Sequence, residues 1–200
     1  MSNISTRILH PSEYKYWESF LHNTPQGTVF VTPLWMETIC NVFGGDWKII
    51  VAERGDKIIA GIPVFITRKR GIKQTITPPL TPYTGYVATP PTAKHFRNRE
   101  AETWTPLEAI LQTLSALRGD YIELHHHPSV QDTRPFQWQG IRTIVKYTYI
   151  TQREDVLSLW ENIPPQKGDI KRLIRKAQQQ GLYVKRGGSI EELALSLIHI

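Results

Sequence analysis

The segment "KGDIKRLIRKAQQQG", Lys167 to Gly181, gathers Lys167, Lys171, Arg172, Arg175 and Lys176 into a stretch with helical periodicity. On a helix, Lys171 and Arg175 share one row and Arg172 and Lys176 another, because residues four apart are surface neighbours. Guanidinium groups grip phosphate oxygens through parallel N–H···O bonds. The chemistry on offer is therefore anion capture. The anion could belong to an enzyme's substrate or to a nucleic acid, or the charges could simply be a solvated face. A second candidate is "HHHP", where strand alternation puts His125 and His127 on one face and His126 on the other. Two imidazoles could ligate a metal, yet Glu123 is the one carboxylate close on that face, so the ligand set is incomplete and no metal is expected. Cys40 lies among Ile39, Asn41 and Val42 and reads as core rather than nucleophile. Being the single cysteine, it also excludes an internal disulfide and a cysteine zinc site. There is no Walker A loop, no G-x-G-x-x-G and no G-x-S-x-G elbow.

Ile170, Leu173, Ile174 and Ala177 recur at i, i+3, i+4 and i+7, which predicts a buried stripe docking the basic helix into a core, with Gly181 closing it at C′. A second unit is expected to begin near residue 150, and "LYVKR" is expected to follow this helix as a strand. Upstream, Ser12 to His22 reads as an amphipathic helix. "TVFV" (28–31) reads as a short strand or extended lead-in. Thr32-Pro33 then opens a helix ended by Gly44. "WKIIVAE" and "KIIAGIPVFITRK", joined at Arg54-Gly55-Asp56, form a β-hairpin, and Pro63 requires an edge or a bulge. "TPPLTPYTGYVATPP" (77–91), with its five prolines, cannot be a regular helix; its aromatic residues suggest an ordered loop lining a site. Thr105-Pro106-Leu107-Glu108 reads as a capping box opening a helix that runs to about Leu117. "DYIELHHH", "FQWQG" and "TIVKYTYI" are expected to be extended, and a further helix is expected near Glu154 to Asn162. This succession implies a mixed α/β (α+β) fold with a largely antiparallel sheet flanked by helices.

The excess of 24 Lys+Arg over 18 Asp+Glu gives +6, which favours anionic partners: phosphate, nucleotide, nucleic acid or an anionic membrane surface. The segment "MSNISTRILHPSEYKYW" has no signal-peptide run, and no stretch reaches transmembrane length, so the expected compartment is the cytoplasm. "LSLIHI", residues 195–200, is also what one frame of a common transposon-end sequencing adaptor encodes. The expectation is a non-native tail on a protein that continues, with the fragment inactive because its catalytic residues lie beyond.

In order along the chain, "FVTPLWMETI", the hairpin with "IIAGIPVFITRKRG", "PPLTPYTGYV", "TYI" and "IKRLIRKAQQQGLYV" resemble the FemAB-like acyltransferases of the GNAT superfamily over residues 28 to 187. The resemblance implies tandem GNAT-like domains: a first over residues 1–150 and the start of a second over 151–194. It implies an acyl or aminoacyl transfer to an amine of a cell-envelope precursor, in polysaccharide or peptidoglycan synthesis. The donor would be acyl-CoA or aminoacyl-tRNA, with no bound cofactor. The acceptor would be a phosphorylated small molecule or lipid-linked sugar, with tRNA a partner through the donor. Trp35 matches the family's tryptophan after the extended lead-in, and Tyr83 and Gly85 match the loop on the acceptor side. Arg172 and Arg175 match the basic helix expected to contact substrate phosphates. Catalytic residues stay unassigned. Thr38-Ile39-Cys40 lacks the lysine of the peptidoglycan-bridge branch, and Thr81-Pro82-Tyr83-Thr84-Gly85 replaces its usual P-R-G-P loop; both favour the acetyltransferase-like branch. The alternative is a nucleic-acid-binding module that uses residues 168–180.

Overall fold

The computed structural model of the chain describes residues 4–148, 158, 160, 170–184 and 187–190. The chain divides into two compact units, 1–145 and 146–200. In the first unit, β1 (Ile4–Ile8), β2 (Asp46–Arg54), β3 (Lys57–Lys69), β4 (Ile72–Ile76) and β6 (Tyr121–Glu123) form an open sheet in the order β1-β2-β3-β4-β6, and β5 (Val87–Ala88) also pairs with β3. All these pairs are antiparallel except β4 with β6. Helices α1 (Tyr14–Leu21) and α2 (Pro33–Phe43) lie in sequence before β2. Helix α3 (Phe96–Ala116) is the crossover that the parallel β4–β6 pair requires, and α4 (Arg134–Trp138) follows β6.

Alternation along β2 and β3 divides the core between the two faces of the sheet. Ile50, Ala52, Ala60, Ile62, Val64 and Ile66 face Leu107, Ile110, Leu111 and Leu114 of α3, together with Phe136 of α4. Ile49, Val51 and Val87 pack on the other side with Trp17, Phe20 and Leu21 of α1. Met36 and Ile39 of α2 pack there on Phe65. Gly61 allows the closest approach, since a Cβ at that position would lie 2.4 Å from Cζ3 of Trp17.

Pro63 sits opposite Ile49 in the hairpin. The Ile49 carbonyl accepts a hydrogen bond from the Leu9 N–H, so Ile49 turns its polar groups toward β1 and away from Pro63. On its other edge β3 is paired by β5 at Ala60–Gly61 and by β4 from Phe65 onward, which leaves Pro63 in the gap where no donor is needed. This is a local edge inside a central strand, and it meets the condition that proline imposes.

Several expectations change. Residues Val29–Val31 form a 3-10 turn rather than a strand, because the Thr32 hydroxyl and backbone N–H both donate to the Val29 carbonyl. β1 is an unanticipated edge strand. The third helix begins at Phe96 and runs through Pro106, with no break at Thr105. Its upstream turns are rich in helix formers, and one lost N–H at Pro106 does not stop a helix anchored by four buried apolar side chains downstream. "FQWQG" is helical at its start rather than extended, with the Phe136 and Gln137 amides bonded to the Thr133 carbonyl. β6 ends at Glu123, before the histidines, and residues 143–148 have no regular secondary structure.

In the second unit, α5 (Ile170–Gln179) ends in a Schellman motif: the Leu182 N–H donates to the Ala177 carbonyl and the Gly181 N–H to Gln178, with Gly181 at φ +77°. The expected burial of its apolar stripe is not found. Ile170, Leu173 and Ile174 are 58%, 55% and 38% exposed. Periodicity creates the apolar face but does not supply a neighbour to cover it. Residues 182–184 are not a strand. Most of the expected helix at 154–162, residues 185–186 of the expected strand, and the region after Ile190 lie outside the described residues. Among the described residues, no helix is long and apolar enough to cross a membrane.

Candidate functional site

Thr32 and Pro33 set the start of α2. The Thr32 hydroxyl caps the Trp35 N–H at 3.3 Å, so the first helical turn aims Trp35 back over the 3-10 turn. There the Phe30 ring stands edge-on to Trp35, with centroids 5.2 Å apart, and edge-on to Tyr83 at 5.5 Å. Tyr83 in turn meets the His127 ring at 4.8 Å in the same T-shaped manner. The Trp35 Nε1–H donates to the Thr81 hydroxyl at 2.9 Å, and that hydroxyl donates to the Pro79 carbonyl. Three segments far apart in sequence thus form one half-buried aromatic wall.

The proline-rich loop is ordered because its backbone is held by the segment after β6. The amides of Thr84 and Gly85 both donate to the His125 carbonyl, at 3.1 and 2.9 Å, and the His125 N–H donates to the Thr77 hydroxyl at 2.8 Å. The Tyr86 N–H donates to His126 Nδ1 at 3.0 Å. Gly85 is buried against the same ring: a Cβ there would lie 2.1 Å from His126 Nδ1. Burial, with a minor contribution from His125, pushes the pKa of His126 down to about 4, so the ring is neutral and accepts through Nδ1. The ring also packs on Phe136, 4.7 Å between centroids, which ties the loop to α4.

His127 has a different environment. Its Nδ1 accepts the Ser129 N–H at 3.1 Å, and Gln26 holds the Ser129 hydroxyl at 3.0 Å. Burial lowers the pKa of His127 as well. A neutral ring whose Nδ1 accepts carries its proton on Nε2, so the wall presents an N–H donor there rather than a general base. His125 pairs with Glu123, 3.2 Å between Nε2 and Oε1. The three histidines therefore serve three different partners. Among the described residues, no group of three or more side chains could hold a metal ion. Cys40 is half-buried beside Met36 and Ile39, and burial raises its thiol pKa, which keeps the sulfur protonated.

Of the residues singled out in the sequence, Trp35 and Tyr83 share this wall and Gly85 anchors its back. Arg172 and Arg175 are exposed on α5, in the second unit. Sequence reasoning missed Phe30, Thr81, Gln26 and Ser129, and it weighed His127 only as a metal ligand. The available signal was the run of aromatics in "TVFVTPLW" and "TPYTGY", two segments that meet only across the fold. The wall holds no carboxylate or guanidinium, so it can stack on and hydrogen-bond a flat or hydroxylated ligand without adding charge.

The fold is a mixed α/β architecture with a largely antiparallel open sheet flanked by helices. No protein-family model and no curated protein matches the chain. Among solved structures, it is similar to a transcriptional regulator from Bacillus halodurans C-125 (12% identity, 75% of this chain and 100% of that one, TM-score 0.45). It is also similar to AAC(6')-Iy in complex with the bisubstrate analogue CoA-S-monomethyl-acetylneamine (12% identity, 76% and 99%, TM-score 0.45). A third similar structure is glucosamine-6-phosphate N-acetyltransferase from Arabidopsis thaliana (19% identity, 76% and 99%, TM-score 0.41).

Proposed function

We propose that the chain is a GNAT-type N-acyltransferase of the FemAB-like kind, which moves an acyl group from acyl-CoA to an amine of a phosphorylated, sugar-containing cell-envelope precursor. The observation that carries this reading is the Trp35–Phe30–Tyr83–His127 wall, built from the segments whose order resembles the family. In this reading the wall receives the acceptor. Tyr83 and Trp35 offer ring faces and edges to the apolar side of a pyranose, and His127 Nε2–H offers a donor to a hydroxyl or carbonyl oxygen. Thr81 fixes the tilt of Trp35 through its 2.9 Å hydrogen bond. Arg172 and Arg175, in the second unit, are assigned to phosphate binding in their own right, where their planar groups match phosphate geometry.

The bond formed would be the amide between the acceptor nitrogen and the acyl carbon. The bond broken would be the thioester C–S, with the amine proton leaving to solvent or a base. The contribution of the wall is positioning, since holding amine and thioester in contact removes most of the entropic cost of a bimolecular reaction. The domain reading stays with the proposal: residues 1–150 are the acceptor-side domain and 151–194 the opening of its successor.

The test is calorimetric titration with nucleotide-diphosphate amino sugars, paired with an assay for amine-dependent release of CoA from acetyl-CoA. Tyr83→Ala and Trp35→Phe are expected to weaken acceptor affinity about tenfold, the loss of one stacked face or one anchoring hydrogen bond. Arg172→Ala with Arg175→Ala should weaken binding of a phosphorylated ligand by a few kcal/mol, roughly two charge-assisted hydrogen bonds. Unchanged affinity in all of these variants would remove the acceptor role from the wall and the phosphate role from the arginines.

A further inference from the structure

From the uncovered face of α5 we infer that this helix is an interfacial element that lays its apolar side on an anionic lipid surface. With 100° between successive residues, Ile170, Leu173, Ile174 and Ala177 fall within an arc of about 100°. Ile170, Leu173 and Ile174 of that arc are 58%, 55% and 38% exposed, and no residue of the helix is buried. Lys171 and Lys176 stand at the two borders of the arc, and Arg172 and Arg175 occupy the side opposite it. The helix carries no carboxylate, so its field is of one sign. Lys171 Nζ lies 5.5 Å from the centre of the Trp160 ring, and that indole is itself 41% exposed.

These features fit a lipid interface better than a duplex. A helix that reads nucleic acid presents its polar face and needs no exposed leucine or isoleucine, whereas an interfacial helix needs both a solvent-facing apolar arc and cations at its borders. Lysines there keep their charge at headgroup level while their methylene stems lie along the apolar edge. A tryptophan beside one border is the side chain that membrane–water interfaces favour. The charge complementarity selects anionic headgroups, since each cation close to such a surface adds about 1 kcal/mol of attraction. This inference does not depend on the acyl-transfer reading, because it uses the apolar arc and the border lysines rather than Arg172, Arg175 or the aromatic wall.

The experiment is cosedimentation of the full chain with vesicles of phosphatidylcholine alone and of an equimolar phosphatidylcholine–phosphatidylglycerol mixture. Binding to the anionic vesicles and little to the neutral ones is expected. Lys171→Gln with Lys176→Gln should weaken anionic-vesicle binding roughly thirtyfold, two cations' worth of surface attraction. Leu173→Ser with Ile174→Ser should weaken it about tenfold or more while leaving all four cations in place. Both pairs lie on a helix of the second unit in which no residue is buried, so the thermal unfolding of the first unit should not move. Equal binding to neutral and anionic vesicles would overturn the proposal, as would anionic binding that the serine pair does not change. Salt-sensitive binding to duplex DNA, indifferent to the serine pair and stronger than vesicle binding, would assign the helix to nucleic acid instead. A dimer in lipid-free solution that the serine pair dissociates would place a second copy of the chain on the arc and likewise overturn it.

Discussion

At the scale of single residues, the contact between Gly85 and His126 carries the most consequence. The loop approaches the imidazole so closely that a methyl group at 85 would lie 2.1 Å from Nδ1 and 2.7 Å from Cγ. Gly85 is not at a positive φ, so the demand for glycine is steric rather than conformational. Gly85→Ala must displace the ring, break its hydrogen bond with the Tyr86 N–H and disturb its packing on Phe136. A loss of about 2 kcal/mol or more in urea denaturation is expected, at the upper side of an overpacking substitution. An unchanged midpoint would mean that the ring can move aside without cost. The sequence reading placed Gly85 on the ligand side from a resemblance. Its buried contact with His126, in a segment distant along the chain, could not be read from either segment alone.

At the scale of elements, α2 shows how local sequence sets the geometry of the wall. Thr32 does two jobs: its oxygen accepts the Trp35 N–H, and its hydroxyl donates to the Val29 carbonyl at 2.7 Å. It therefore couples the start of the helix to the 3-10 turn that holds Phe30. Thr32→Ala is expected to cost about 1 kcal/mol of stability, as for loss of an N-cap. Because the same change frees Trp35, acceptor affinity should fall as well, whereas Thr32→Ser should preserve both. An alanine variant that loses stability but binds acceptor normally would separate the cap from the site. This helix was legible from the sequence because Thr-Pro at its start and Gly44 at its end are local signals. Helix α3 was only partly legible, since its continuation through Pro106 depends on burial of Leu107, Ile110, Leu111 and Leu114 against the sheet.

At the scale of the whole molecule, the titration of His126 makes stability depend on pH. Its pKa is about 4 in the folded chain and near the ordinary 6.5 when unfolded, so between these values the unfolded state binds the extra proton. Stability is then fully present above pH 6.5 and falls as the pH drops toward 4, by about 3 kcal/mol across the window. Urea midpoints measured from neutral pH down to pH 4 should show this fall. His126→Asn, which keeps an acceptor near the Nδ1 position but does not titrate, should flatten it. An identical pH slope in the variant would place the acid sensitivity elsewhere. The positive net charge acts at the same scale, but it selects only the sign of a partner.

The sequence by itself determined what depends on neighbours along the chain. That covers the hairpin and its turn, the cap and terminator of α2, the glycine stop after α5, the amphipathic pattern of that helix and the need for a gap at Pro63. Each is a backbone or periodicity constraint that a few consecutive residues satisfy alone. Only the tertiary structure decided which apolar faces find a cover, and it buried the stripe of α3 while leaving that of α5 exposed. It also decided that the three histidines serve a loop amide, a serine and a carboxylate, and that Phe30, Trp35, Tyr83 and His127 form one wall. The contacts of His126 with the Tyr86 amide, of Phe30 with Tyr83 and of Tyr83 with His127 join segments tens of residues apart and are fixed by packing, which no local pattern encodes.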